Sequence, residues 1–330
     1  VDSLISCFAV PKGADDIRMV YDATKCGLNE VIWSPNFFLP TVATVVRSAT
    51  PDTFFGDIDL GEMFLNYFLD EDLRSSAGVD VTNIADLLEV EVPEGKRLIM
   101  RWERNLMGLK SSPYNCIRTF LWSEDFIRGD REAKDNPLRW DSVVTNLPGA
   151  KDYDPTKPWI YRWDEVNQRI AASFCSYVDD IRTWAQGEDH CNDVTHTIAA
   201  KINYLGQQDA PRKRREVSQT PGPWAGATVE TIPGEGVYAS ILPEKWKKAR
   251  DIVKKWLDGA PEEEEEDWMV NRKELERDTG FMIHVCLTFE NFKPYLKGFY
   301  NTLNGWRWDR DLDGWKKSNK DWSKFWEDLG

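Results

Sequence analysis

The chain has 330 residues, 41% hydrophobic and 30% charged, which excludes a disordered or low-complexity polymer and allows two or three subdomains with sizeable cores. Its 56 acidic and 42 basic side chains give a formal charge of −14, so any grip on nucleic acid must come from local basic patches. No apolar run could span a bilayer, no signal-peptide pattern opens the chain, and the six cysteines and three histidines show neither CxxC pairs nor metal-ligand spacing, which predicts an intracellular protein of cytoplasm or nucleus, not secreted, with no membrane partner and no zinc or disulfide scaffold.

The sequence opens on Val1 as if already within a strand, and is expected to be part of a larger polyprotein with other domains. Residues 7–10 and 17–21 predict two short strands, joined by the turn formers Pro11-Lys12-Gly13-Ala14-Asp15-Asp16. Residues 54–60 predict a buried strand, and Met63, Phe64, Tyr67 and Phe68 predict a helix over 62–69. Another strand is expected at 98–102, and Ser112-Pro113 then opens a helix through Ile117, Phe120 and Leu121 with proline in its first turn. The polar, proline-bearing stretch near 128–165 predicts an insertion or extended loop. Residues 170–177 and 181–185 predict a β-hairpin turning at Val178-Asp179-Asp180, followed by a helix with Val194, Ile198, Ile202 and Leu205 on one face. A second hairpin is expected from 224–229 and 236–241. Leu242, Trp246, Ala249, Val253 and Trp256 then step by four, three, four and three along a helix, and another helix starts near Asn271. This order predicts an α+β fold, with helices packed on one face of an antiparallel sheet. Charge is segregated. Acid gathers in residues 262–267 and towards the C-terminus; base gathers in Arg212-Lys213-Arg214-Arg215 and in 245–255, a pattern compatible with a basic groove on an acidic body.

Strand alternation puts Asp57 and Asp59 on one side, with Ile58 on the other. Brought beside Asp179-Asp180, they would crowd three or four carboxylates that repel one another unless cations neutralise them. Hard divalent ions, above all Mg²⁺, take such oxygen ligands. Two of them, about 3.5–4 Å apart, clamp the attacking and leaving oxygens of a phosphoryl transfer. Each motif alone has a plainer reading, because Asp-Asp is common at turns for its local hydrogen bonds.

Ser176-Tyr177-Val178-Asp179-Asp180 resembles the Tyr-x-Asp-Asp box of reverse transcriptases. Asp59-Leu60-Gly61-Glu62-Met63-Phe64 resembles the first palm motif of that family, and Leu106-Met107-Gly108-Leu109-Lys110-Ser111-Ser112-Pro113 resembles the second. Phe8-Ala9-Val10-Pro11-Lys12 with Ile17-Arg18-Met19-Val20-Tyr21-Asp22 resembles the fingers hairpin, and Trp224-Ala225-Gly226 resembles the turn of the primer grip. The resemblance covers nearly the whole chain, and its flavour is that of retrotransposons of the long-terminal-repeat or tyrosine-recombinase type. Two positions depart from the pattern: Ala23-Thr24-Lys25 follows Asp22 where the family commonly has an arginine, and Met107 stands where glutamine or phenylalanine is frequent.

The resemblance implies a right-hand polymerase: fingers at 1–53 and 81–106, palm at 54–80 and 107–241 with the insertion, and a helical thumb with a C-terminal extension at 242–330. It implies RNA-directed DNA synthesis by two-metal-ion phosphoryl transfer, on an RNA or DNA template with a primer and deoxynucleoside triphosphates. Asp59, Asp179 and Asp180 would hold two Mg²⁺ ions (Mn²⁺ as the alternative), with the Leu60 carbonyl helping. Lys12, Arg18 and Lys110 would meet the nucleotide, Phe64 would lie under its sugar, and Met107 and Gly108 would pack near it. Tyr177, Trp224, Gly226, Lys213 and Arg214 would face primer or template. Plainer alternatives stand beside these roles: Lys12 as a solvated turn residue, Phe64 as core, and the basic run as a wet surface. The alternative function is a decayed or domesticated element that binds nucleic acid without catalysis.

Overall fold

In a computed structural model, which describes residues 2–13, 16–211, 214–259, 267–268, 270–306 and 315–316, the chain adopts an α+β fold with antiparallel sheets. It divides into two compact units: Val1–Leu39, Phe54–Val144 and Arg162–Val217 in one, and Pro40–Thr53, Thr145–Tyr161 and Ser218–Gly330 in the other. Among the described residues no helix is long and apolar enough to cross a membrane.

The first unit opens with Ser6–Lys12 (β1) paired antiparallel to Asp16–Asp22 (β2), so that Lys12 faces Asp16 and Cys7 faces Tyr21. After the short helices Leu28–Val31 (α1) and Val42–Val46 (α2), the latter in the second unit, comes the apolar strand Thr53–Asp59 (β3). Where a helix was expected over 62–69, the structure has a single 3-10 turn, Met63–Asn66. Glu62 takes a left-handed φ of 48°, and the Asn66 amide donates to the carbonyls of Gly61, Glu62 and Met63, which closes the turn on itself before a helix can propagate. A short helix, Glu71–Arg74 (α3), leads to Gly78–Asp80 (β4), which pairs antiparallel with Ile99–Arg101 (β5). Ile5, Leu28, Leu69, Ala77, Leu106 and Leu109 fill a small core here, where Tyr21 meets Trp102 edge to face at 4.9 Å.

Ser112–Arg128 (α4) carries Pro113 in its first turn, where the missing N–H costs nothing. The stretch expected as an insertion or extended loop carries strands of its own. Ser142–Thr145 (β6), Ile160–Asp164 (β7) and Arg169–Ile170 (β8) form a three-stranded sheet in that order. The buried Asp164 organises its end, taking the Arg139 guanidinium and the N–H groups of Val166 and Asn167. Val143 and Ile160 are exposed and Ile170 alone of the apolar residues in these strands is buried, so the apolar signal from which strands are read is weak.

Ser173–Tyr177 (β9) and Asp180–Gln186 (β10) pair antiparallel, and β10 lies between β3 and β9. Glu188–Tyr204 (α5) buries Cys191, Val194, Ile198 and Ile202 against this sheet, and α4 adds Cys116, Ile117, Phe120 and Ile127 to the same core. Gly56 permits the close approach of α5: a Cβ there would run into the hydroxyls of Thr183 and Thr195, which bond each other at 2.7 Å.

In the second unit, Thr228–Ile232 (β11) and Gly236–Ser240 (β12) form a hairpin with α2 packed beside both strands; its first strand begins at Thr228, four residues later than expected, because Trp224–Ala227 closes a turn of its own. Pro243–Asp258 (α6), Arg272–Thr288 (α7) and Lys297–Asn304 (α8) enclose a core of Ile252, Trp256, Leu275, Cys286, Leu296 and Phe299. Asn271 caps α7, its side chain accepting from the Glu274 N–H at 3.0 Å. Asp267–Trp268 (β13) pairs antiparallel with Trp315–Lys316 (β14).

Candidate functional site

β3 delivers Asp59 at its last position, and the β9–β10 ladder ends with Tyr177 opposite Asp180, leaving Val178-Asp179 as a two-residue turn. Val178 sits at φ 57°, a left-handed setting that costs a β-branched residue about 1–3 kcal/mol and persists only where its surroundings enforce it. The Val178 side chain packs against the main core, and main-chain bonds tie the turn and β3 to their neighbours. The Leu60 N–H donates to the Asp179 carbonyl at 2.9 Å, the Gly61 N–H to the Gln208 carbonyl at 2.8 Å, and the Ala210 N–H to the Asp59 carbonyl at 2.9 Å. The residue after Asp59 is thereby joined to the residue before Asp180.

Asp57, one of the carboxylates the sequence suggested for a shared cluster, is engaged elsewhere. It accepts from the Arg182 guanidinium at 2.9 Å. Arg182 is 1% exposed and lies 5.7 Å from the Phe55 ring; burial pulls its pKa down, and Asp57 opposes that pull. The sequence held an unused signal for this partner. Arg182 stands two residues after Asp180, so strand alternation puts both on one face. Among the described residues, no group of three or more His, Cys, Asp or Glu side chains is close enough together to hold a metal ion. The donor chemistry of Asp59, Asp179 and Asp180 suits hard cations, while their side chains are not drawn into one ligand set.

Beside the turn lies a cleft of about 520 Å³, whose lining includes Lys12, Arg18, Tyr21, Phe64, Met107 and Asp179. Five of these are residues singled out from the sequence. The sixth, Tyr21, has its pKa pushed up to about 12, mainly by burial and then by Cys7 and Glu62, so it is a neutral hydroxyl at physiological pH. Lys12 reaches Asp16 at 3.6 Å, across an exposed pair worth little. Phe64 both faces the cleft and packs on the main core. Gly108 has φ 103°, and a Cβ there would strike the Tyr21 carbonyl; the close backbone approach its sequence suggested is to β2 of this chain. Asn29 pins the same loop, donating to the Gly108 carbonyl at 2.9 Å and accepting from the Lys110 N–H at 2.8 Å. Lys110 is exposed just before α4, Tyr177 is half-buried at the end of β9, and Arg214 pairs with Asp209. Lys213 lies outside the described residues.

In the second unit, Trp224 and Ala227 exchange both main-chain bonds around a tight turn, with Ala225 at φ 49° and Gly226 at φ 89°. The Trp224 indole is 3% exposed, so it serves as core here. Lys245 donates to the Gly226 carbonyl at 3.2 Å, and a Cβ on Gly226 would strike the His284 ring.

No family model and no curated protein sequence matches the chain. Among solved structures it is similar to the foamy viral protease-reverse transcriptase dRH in complex with double-stranded DNA, at a TM-score of 0.52 and 14% identity over 99% of this chain and 43% of that one. It is also similar to the foamy viral protease-reverse transcriptase in complex with an RNA/DNA hybrid, at a TM-score of 0.50 and 15% identity over 99% of this chain and 33% of that one. The chain thus has a reverse-transcriptase-like fold and spans less than half the length of these structures.

Proposed function

We propose that this chain is the polymerase core of a reverse transcriptase of retrotransposon type, adding deoxynucleotides to a primer on an RNA or DNA template. The observation that carries the reading is the main-chain bond from Leu60 to Asp179, which joins the two carboxylate-bearing segments at the edge of a cleft lined by Lys12, Arg18, Phe64 and Met107. The two similar structures named above are complexes with DNA or an RNA/DNA hybrid, which supports a nucleic-acid substrate for this chain as well. On this reading fingers, palm and thumb follow the boundaries expected from the sequence.

Asp59, Asp179 and Asp180 would hold two Mg²⁺ ions, or Mn²⁺, as hard oxygen donors whose mutual repulsion a divalent cation neutralises. Bound there, the ions would activate the primer 3′-hydroxyl and neutralise the departing pyrophosphate. Lys12 and Arg18 would orient the triphosphate with fixed positive charge. Phe64 would fill the space under the sugar and exclude a 2′-hydroxyl. The neutral Tyr21 would add a hydroxyl to the cleft wall without adding negative charge beside a triphosphate.

A second reading, a nucleic-acid-binding protein without catalysis, rests on the same likeness to nucleic-acid complexes and needs no metal. The two part in one experiment. Purified protein is given a primer annealed to RNA, all four deoxynucleotides and Mg²⁺, beside the Asp179→Asn variant. Extension by the unaltered protein alone supports polymerisation; duplex binding with no extension by either protein supports the second reading.

A further inference from the structure

α4 is apolar on two opposite faces. Cys116, Ile117, Phe120 and Ile127 enter the core. At 100° per residue, Arg118, Leu121, Trp122, Asp125 and Phe126 fall on the arc directly opposite. Leu121, expected within this helix from the sequence, lies on the outer arc. It is 51% exposed, Trp122 is 70% exposed and Phe126 is 47% exposed. The outer aromatics are already ordered. Phe126 stacks on Tyr204 of α5 at 5.6 Å and 11°, and Arg118 lies 5.6 Å from the Trp122 ring. Large exposed aromatics on a rigid helix, rimmed by polar residues, mark an interaction surface rather than scattered surface apolarity.

The charges say what fits there. Arg118 and Asp125 flank Leu121 and Trp122, one on each side, and form no ion pair with a described residue. They lie seven residues apart, two turns, or about 10.5 Å along the helix. A second α4 laid antiparallel about a two-fold axis near Leu121 and Trp122 brings Arg118 against Asp125 of the partner subunit at both ends. The aromatics of both copies fill the centre. The surface is therefore complementary to itself, the requirement for a two-fold dimer.

We propose that the outer face of α4 is a self-docking surface for a second copy of this chain. A helix-on-helix patch stands at the low end of interface areas, so the dimer is weak, with a dissociation constant on the order of 10–100 µM. The claim does not depend on the polymerase reading, since none of these side chains lines the cleft.

Sedimentation velocity on the whole chain, from about 1 to about 300 µM, tests it. A monomer that shifts to a dimer with concentration is expected. Trp122→Glu should abolish the shift with an unchanged thermal midpoint, because the side chain is exposed. Arg118→Glu should weaken the dimer at least about tenfold, and Arg118→Glu with Asp125→Arg in one chain should restore it, since the reversed charges again face each other. A monomer at every concentration, a dimer indifferent to Trp122→Glu, or a charge-swapped protein that stays monomeric overturns the proposal.

Discussion

Arg182 is buried on β10 with Asp57 as an ion-pair partner at 2.9 Å, and the two ends of that bond differ in solvent access: 1% for the Arg182 side chain, 24% for that of Asp57. Removing Asp57 takes one counter-charge from a buried guanidinium, whereas removing Arg182 leaves a carboxylate that water still reaches. Asp57→Ala is expected to cost about 3–5 kcal/mol, and Arg182→Met less than Asp57→Ala. The double variant should recover part of the larger loss. Urea unfolding of the three variants checks this; equal costs for the two single changes would remove the asymmetry.

Gly108 answers to two constraints at once, a φ of 103° and the Tyr21 carbonyl in the space where a Cβ would stand. Gly108→Ala should therefore destabilise by at least about 2 kcal/mol, by strain and by displacing β2 from the loop. An unchanged thermal unfolding midpoint would show that the approach is not tight.

Phe64 should select the sugar. Phe64→Ala is expected to raise ribonucleotide incorporation relative to deoxynucleotide by at least about tenfold, and to cost about 1–3 kcal/mol of stability because the ring also packs on the core. Competitive incorporation measured at matched folded fraction separates the two effects. Unchanged discrimination would leave Phe64 as core alone.

Stability should weaken in mild acid. Burial lowers the pKa of His190, whose Nε2 meets the Pro137 carbonyl at 2.9 Å. The unfolded chain then binds the proton first, so this contribution is complete above the ordinary histidine value of about 6.5 and is lost as pH falls from there through the folded value. His190→Gln should flatten the dependence of the urea midpoint between about pH 7 and pH 5. An equally steep dependence in the variant would assign the acid sensitivity to other groups.

What the sequence made legible follows from the range of the forces involved. α5 and α6 were readable because each buries a periodic apolar face, Val194, Ile198 and Ile202 on α5 and Ala249 and Trp256 on α6; β3 and the β9–β10 hairpin were readable as short, largely buried runs bounded by turn residues. The cleft residues were found through motifs, and Lys12, Arg18, Phe64, Met107 and Asp179 do line one cavity. The 3-10 turn at Met63–Asn66 was hidden because Asn66, not apolar spacing, decides it. The β6–β8 sheet was hidden because Asp164 and Arg139, distant in sequence and buried as a pair, hold it in place of an apolar face. Asp57 looked like a free ligand because its partner lies 125 residues away.

On the proposed function, Asp59 and Asp179 act as one unit. The direct measurement is single-turnover primer extension in Mg²⁺ by Asp59→Asn, by Asp179→Asn and by the protein carrying both, at equal duplex occupancy. Each single change should slow extension by at least about a thousandfold, and the double variant should be scarcely slower than either, as groups that share one chemical step behave. Extension within about tenfold of the unaltered rate by either variant, or losses that multiply in the double, would contradict the account.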